Sequence, residues 1–310
     1  KGRDTMIKFI IKRFIKNYQD IDDINVREDY TVLSGILGII NNLILFFVKL
    51  IIGLVINSIA VISDAFNNLS DMGTSIVTIF GAKLSNRPPD REHPYGHGRF
   101  EYIASLVVSF IIFAVGLQLL RSSFNKVINP QKVMFSWTSI IILLASISIK
   151  LWMFSYNKYI GKQIDSSINR AIAYDSLNDV LSTSAVVVGT IIGNYVIFPI
   201  DGFLGIVISI IIIYSAFTIA KDSVHLILGP APDPKTIEDI NFIVLAGNGI
   251  KGTHDLIVHD YGPGRISASI HAEVSDNVNI VEIHNEIDKI EKEIKSKLGI
   301  SIVIHMDPIE

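Results

Sequence analysis

Asp175-Ser-Leu-Asn-Asp179 lies near the start of an apolar helical run that extends from Ile168 to Ile192. Two carboxylates four residues apart share one helix face, a turn from each other. The run is long enough to cross a bilayer, where ionised groups are costly and are as a rule functional. A second polar pair, Asn67 and Asp71, repeats the spacing in another apolar run. If the two helices face each other, these side chains make one oxygen-lined cage, a site for a hard divalent cation. The competing reading puts the aspartates at a helix end, capping it or facing water.

Composition agrees with a membrane location. The 310 residues are 49% hydrophobic, with a mean hydropathy of +0.45, too apolar for an ordinary soluble domain. The apolarity is concentrated in residues 30–228, whereas 229–310 has the composition of a soluble domain. A net charge of −3 carries no information about partners. With no cysteine in the chain, thiolate metal sites are excluded, and ligands must be His, Asp, Glu, Asn or backbone oxygens. The apolar patches before Tyr30 are short and broken by Lys and Arg, unlike a cleavable signal peptide.

Residues 1–29 read as a cytoplasmic arm. Within it, Met6, Phe9, Ile10 and Phe14 share a helical face with Lys8, Lys12 and Lys16 nearby. That pattern fits a helix lying on an anionic membrane surface, and equally a solvated basic tail. Six runs of spanning length follow, placed near Val32–Ile56, Ile59–Leu84, Glu101–Arg121, Ser136–Tyr156, Ile168–Ile192 and Asp201–Ala220. The first two meet in a tight hairpin at Asn57–Ser58. Lys49, inside the first run, is expected to snorkel toward the interface. Lys and Arg cluster in the arm, in the second-to-third connection and in the fourth-to-fifth, which predicts that both termini are cytoplasmic.

Gly229-Pro-Ala-Pro-Asp-Pro closes the membrane part, because its prolines break a helix. The tail then reads helix (Pro234–Asn248), strand (Asp255–Asp260), strand (Arg265–Val274), helix (Ile280–Leu298), strand (Ile300–His305). The strand pair turns at Gly262-Pro-Gly264. Ile283, Ile287, Ile290, Ile294 and Leu298 make the apolar stripe of the second helix. The fold class expected is a six-helix all-α transmembrane domain followed by a small cytoplasmic α+β domain of order αββαβ.

Three constellations offer metal ligands. Asn67, Asp71, Asp175 and Asp179 supply only oxygen, which favours Mn²⁺, Mg²⁺ or Fe²⁺ over Zn²⁺ without excluding zinc. Three close carboxylates in a low-dielectric cavity cannot all stay ionised cheaply without a cation. Protons would be expelled as metal binds, a basis for cation–proton exchange. In a Pro- and Gly-rich loop, Asp90, His93 and His97 are zinc-compatible types at short spacing, the alternative being incidental histidines in a polar loop. In the tail, strand alternation puts His271 off the apolar face, and His254, His305 and Asp307 are placed to join it. The alternative there is scattered surface histidines. No nucleophile–base pair or phosphate-binding loop stands in the polar segments, so an enzyme is not expected.

The chain resembles the cation diffusion facilitator family of divalent-metal exporters. The resemblance runs from Asp29 to Pro308. It is carried by Ser63-Asp-Ala-Phe-Asn67-Asn-Leu-Ser-Asp71, Glu92-His-Pro-Tyr-Gly-His-Gly-Arg99, the pair Asp175 and Asp179, Gly252-Thr-His254-Asp, and Ile304-His-Met-Asp307-Pro. It implies a homodimer in the inner membrane, a metallochaperone-like (ferredoxin-like) tail, and alternating access driven by proton antiport. It also implies that Asn67, Asp71, Asp175 and Asp179 form the transport site. Asp90, His93 and His97 would form the loop site, and His254, His271, His305 and Asp307 a tail site at the dimer interface. Zinc-moving members usually carry His at the position of Asn67 or of Asp175; this chain has none and looks like the manganese-exporting bacterial members. Gly229 stands where some members have an acidic partner for a loop cation, here Arg99. The expected cargo is Mn²⁺, with Zn²⁺, Fe²⁺ or Cd²⁺ as alternatives, and Zn²⁺ or Mn²⁺ in the cytoplasmic sites. A passive channel and a membrane-anchored metal sensor are the other function classes; no nucleic-acid partner is expected.

Overall fold

In hydrocarbon, a backbone must satisfy its own hydrogen bonds, so each apolar run folds as a helix. The computed structural model describes residues 2–21, 24–85, 89–164, 166–196, 198–262 and 265–309. Lys1, Arg87 and Pro88, and Pro263 and Gly264 of the expected hairpin turn, lie outside the described residues. The helices are α1 (Gly2–Phe14), α2 (Ile24–Val55), α3 (Ile59–Ser85), α4 (Phe100–Ile128), α5 (Trp137–Gln163), α6 (Ser167–Gly193) and α7 (Ile200–Leu228). Then come α8 (Pro234–Leu245), β1 (Ile250–Asp260), β2 (Ile266–Ser275), α9 (Ile280–Leu298) and β3 (Ile300–Ile309).

Among the described residues, five stretches are long and apolar enough to span: Asp29–Val55, Phe100–Ile128, Trp137–Gln163, Asn169–Gly193 and Ile200–Leu228; the second of the six expected runs, Ile59–Leu84, folds as a helix but is not one of them. The third helix, α3, carries Asp64, Asn67, Asn68, Ser70 and Asp71, and these polar residues lower its mean hydropathy. The chain divides into two compact units, Lys1–Ile79 with Val107–Ala220, and Phe80–Leu106 with Lys221–Glu310.

The core of the first unit joins Ile52, Ile56, Ala60, Val61, Ile112, Leu143, Val186 and Ile212, contributed by α2 through α7. Turns are tight where the site needs the helices close. Asn57 takes a left-handed φ of 54°, which asparagine tolerates, and reverses α2 into α3. A Cβ on Gly53 would lie 2.7 Å from Ile62, so only glycine allows that approach. The carboxylate of Asp201 accepts from the backbone N–H of Ile59 at 2.9 Å and of Ala60 at 3.3 Å, capping α3. Lys126 balances that carboxylate at 2.9 Å.

The arm carries a stripe that the residue pattern did not single out. Its buried stripe is Ile7, Ile11 and Ile15, which pack with Tyr30, Leu45, Met153 and Tyr156 of α2 and α5. Met6, Phe9 and Phe14 are exposed. Residues spaced by four align along one side of a helix, and that stripe found helical partners.

In the second unit, β1 and β2 are antiparallel, β2 and β3 parallel, in the order β1-β2-β3. Ala268, Ile270, Ala272, Ile302 and Ile304 bury one sheet face under Ile240 and Val244 of α8 and Ile283, Ile287, Ile290 and Ile294 of α9. Gly299, at φ 72°, ends α9 in the left-handed cap that glycine favours. The strands run longer than the residue pattern indicated: β1 starts at Ile250 and β3 continues to Ile309. The loop carrying Arg99 belongs to this unit. The Arg99 guanidinium donates to the Asp260 carbonyl at 2.8 Å and lies 4.8 Å from the Tyr261 ring centre, while Tyr95 stacks on Tyr261 at 4.4 Å. Arg99 thus has partners on the tail without an acid at position 229.

Candidate metal centres

The first centre is set by two helix periods. Spacing by four places Asn67 above Asp71 on α3, and Asp175 above Asp179 on α6. One carboxylate oxygen each of Asp71, Asp175 and Asp179 lie within 4.8 Å of one another. Asp179 is buried, Asp71 half-buried, and Asp175 exposed, so the cluster has one open edge. Asn67 joins it through its amide, Nδ2 donating to Asp179 Oδ1 at 2.6 Å. Three carboxylates form a hard oxygen donor set suited to a divalent cation. All four residues read from the sequence therefore meet at one place.

Two lysines complete the picture. Lys150 of α5, buried, puts its Nζ 3.1 Å from Asp71 Oδ2, bonds Asp179 Oδ2, and donates to Asn42 Oδ1 of α2 at 2.8 Å. Lys49, expected to snorkel, is instead fully buried. Its Nζ lies 2.8 Å from Asp64 Oδ2 and 2.9 Å from the Thr183 hydroxyl, which donates in turn to Asp64 Oδ2 at 2.9 Å. Asp64 stands three residues before Asn67, and Thr183 four after Asp179, so this ion pair forms a second polar layer about one helical turn from the first. A lysine inside a spanning helix that cannot reach water needs an acid within reach. Sequence reading missed these partners because each acid is on a different helix from its lysine. The one available signal was the bare presence of Lys49 and Lys150 in apolar runs.

The second centre brings together Asp90, His93 and His97, with ligand atoms within 4.8 Å of one another. Asp90 Oδ1 accepts from the His93 backbone N–H at 2.6 Å and from that of Glu92 at 3.0 Å. The His93 N–H chiefly, then that of Glu92, holds the Asp90 carboxyl below the usual carboxylate range. His97 Nε2 lies 3.3 Å from Asp90 Oδ2, and its Nδ1 is buried without a hydrogen-bond partner among the described residues.

The third centre follows from strand register. His254 pairs with His271, and His271 with His305, so three imidazoles line up across the sheet. Asp307 Oδ2 lies 2.9 Å from His271 Nδ1 and 3.0 Å from His254 Nε2. His254, His271 and Asp307 converge within 4.8 Å. His305 sits beside that trio, its Nε2 3.4 Å from Asp307 Oδ1 and its ring 4.8 Å from that of His271. The bond from His271, ahead of the charges of the other imidazoles, keeps the Asp307 carboxyl below its ordinary range. Glu273, which sequence reading did not include, lies 3.4 Å from His254 Nδ1. A Cβ on Gly252 would collide with that carboxylate at 2.2 Å, so the glycine leaves Glu273 its place.

Residues 35–228 match the profile of the cation efflux transmembrane domain, and residues 232–309 that of the cation efflux protein, cytoplasmic domain. An uncharacterized transporter of Methanocaldococcus jannaschii is 34% identical over 263 residues, 85% of this chain and 91% of the relative. The manganese efflux system protein MneS of Bacillus subtilis is 31% identical over 282 residues, 89% of this chain and 95% of the relative. The cation-efflux pump FieF of Klebsiella pneumoniae is 27% identical over 252 residues, 81% of this chain and 84% of the relative.

Proposed function

This chain belongs to the cation efflux family, and from that premise we propose that it exports Mn²⁺ from the cytoplasm in exchange for protons. The observation that carries the reading is the convergence of Asp71, Asp175 and Asp179 beside Asn67, with two of the carboxylates on a helix, α6, that is long and apolar enough to span. A histidine-free oxygen set favours a hard cation, and a relative covering almost the whole chain is named for manganese efflux. In this reading the three carboxylates bind the ion and carry protons in its absence, so that one positive load replaces another. Asn67 is the neutral donor that tunes selectivity.

In this reading the protein is a homodimer, which the match to the cytoplasmic domain supports, and lies in the cell (inner) membrane with both termini on the cytoplasmic side. Asp90, His93 and His97, and the trio His254, His271 and Asp307 with His305 alongside, have imidazole and carboxylate donors that would hold a resident Zn²⁺ or Mn²⁺. They are outside the carboxylate cluster and need not share its metal preference.

The reading is tested in proteoliposomes loaded with a metal-sensitive dye. Mn²⁺ uptake should accelerate when a pH gradient is imposed with the metal-receiving lumen acidic, and lumenal pH should rise as metal enters. Uptake of equal rate with and without the gradient would remove proton exchange and favour a passive pathway.

A further inference from the structure

The carboxylate cluster is already filled by a charge of the chain's own. The ammonium of Lys150 has three N–H donors and three acceptors: Asp71 Oδ2, Asp179 Oδ2 and Asn42 Oδ1. The side chain is 2% exposed, so water does not replace any of these bonds. The other oxygen of Asp179 is taken by the Asn67 amide at 2.6 Å. Both oxygens of the most buried ligand are thus committed to groups of the chain itself.

A divalent ion needs those oxygens closer than an ammonium does. Hard divalent cations sit about 2.0–2.6 Å from oxygen, whereas an N–H donor sits about 2.7–3.2 Å away. The two cannot hold Asp71 and Asp179 together from the same position. Without the ammonium, a metal ion or bound protons, Asp71 and Asp179 would face each other uncompensated, which is costly.

We propose that Lys150 is a tethered counter-ion that competes with the cargo. Its ammonium bridges Asp71 and Asp179 while the site is metal-free, yields them when a divalent ion enters, and returns as the ion leaves. Asn42 keeps one bond to the ammonium throughout and so limits how far it retreats. The tether gives the site two properties. It lowers affinity, so bound metal is released, and it screens out monovalent ions, which bring no more charge than the lysine and lack its attachment. The inference rests on the cluster being the cargo site.

The test measures Mn²⁺ binding and transport by the full-length chain with Lys150→Met and Lys150→Arg. Lys150→Met is expected to bind Mn²⁺ roughly tenfold more tightly, about 1.4 kcal/mol. Its maximal transport rate should fall together with its KM, and 100 mM Na⁺ (on the order of extracellular salt), inert toward wild type, should now inhibit uptake. Lys150→Arg keeps the charge and should bind Mn²⁺ no more tightly than wild type. Weaker or unchanged affinity in Lys150→Met would overturn the tether, as would Lys150→Arg binding more tightly than wild type. Should Lys150→Met not fold, the arginine variant alone decides. Wild-type binding that is itself insensitive to Asp179→Asn would instead strike at the cargo-site reading.

Discussion

Asp179→Asn is expected to abolish Mn²⁺ transport while leaving the protein folded and its size-exclusion profile unchanged. The change is nearly isosteric, so packing in α6 is preserved and only charge and one oxygen acceptor are lost. That residue is the hub of the cluster: Asn67 donates to one oxygen, and Lys150 bonds the other. Even residues that merely support metal ligands cost about 10- to 100-fold when removed, so loss of a central carboxylate should exceed that range. Lys150 would keep Asp71 and Asn42 as partners, which spares the fold. The checks are vesicle uptake and calorimetric Mn²⁺ binding, with size-exclusion profiles as the control. Asp179→Asn protein that transports at the wild-type rate would mean the ion passes elsewhere.

Lys49→Met should act on stability instead. Lys49 is fully buried, and its removal strands the Asp64 carboxylate with Thr183 alone on Oδ2 and nothing on Oδ1 among the described residues. Breaking a buried pair by removing one partner costs about 3–5 kcal/mol, because an uncompensated charge stays behind. Removing both charges costs much less, since the desolvation they required is also relieved. Lys49→Met should therefore lower the Tm of detergent-solubilised protein sharply. The double variant Lys49→Met with Asp64→Asn should recover most of the loss. Equal Tm values for the single and double variants would show that the two side chains do not depend on each other.

The contrast between these residues shows which parts of the architecture could be read from sequence. Helix identity followed from apolar run length, and the ligands of the first centre from a spacing of four repeated in two runs. The tail order followed from the alternation in Ile266–Val274 and the stripe in α9. What could not be read was pairing between distant segments. Lys49 meets Asp64 and Thr183 across three helices, and Lys150 meets residues of α2, α3 and α6. Local pattern carries no information about such partners, and the snorkelling expected of Lys49 failed for that reason. The arm shows the same limit: its pattern gave the face of Met6, Phe9 and Phe14, which is exposed, and only packing against α2 and α5 brings out Ile7, Ile11 and Ile15. In the tail, alternation put His271 on the polar face, but the alignment of His254, His271 and His305 needed the register of both strand pairs. Glu273 became visible only beside Gly252, whose missing side chain makes room for it.

Oxygens of α3 and α6 sharing one cation are the basis of the proposed transport. Anomalous diffraction at the manganese edge, from crystals of the wild-type chain grown with Mn²⁺, addresses that directly. A peak about 2.0–2.6 Å from oxygens of Asp71, Asp175 and Asp179, with the Lys150 ammonium drawn back toward Asn42, is the predicted result. Manganese peaks confined to the histidine-bearing loop and tail, with Lys150 still bridging Asp71 and Asp179 at saturating metal, would contradict it.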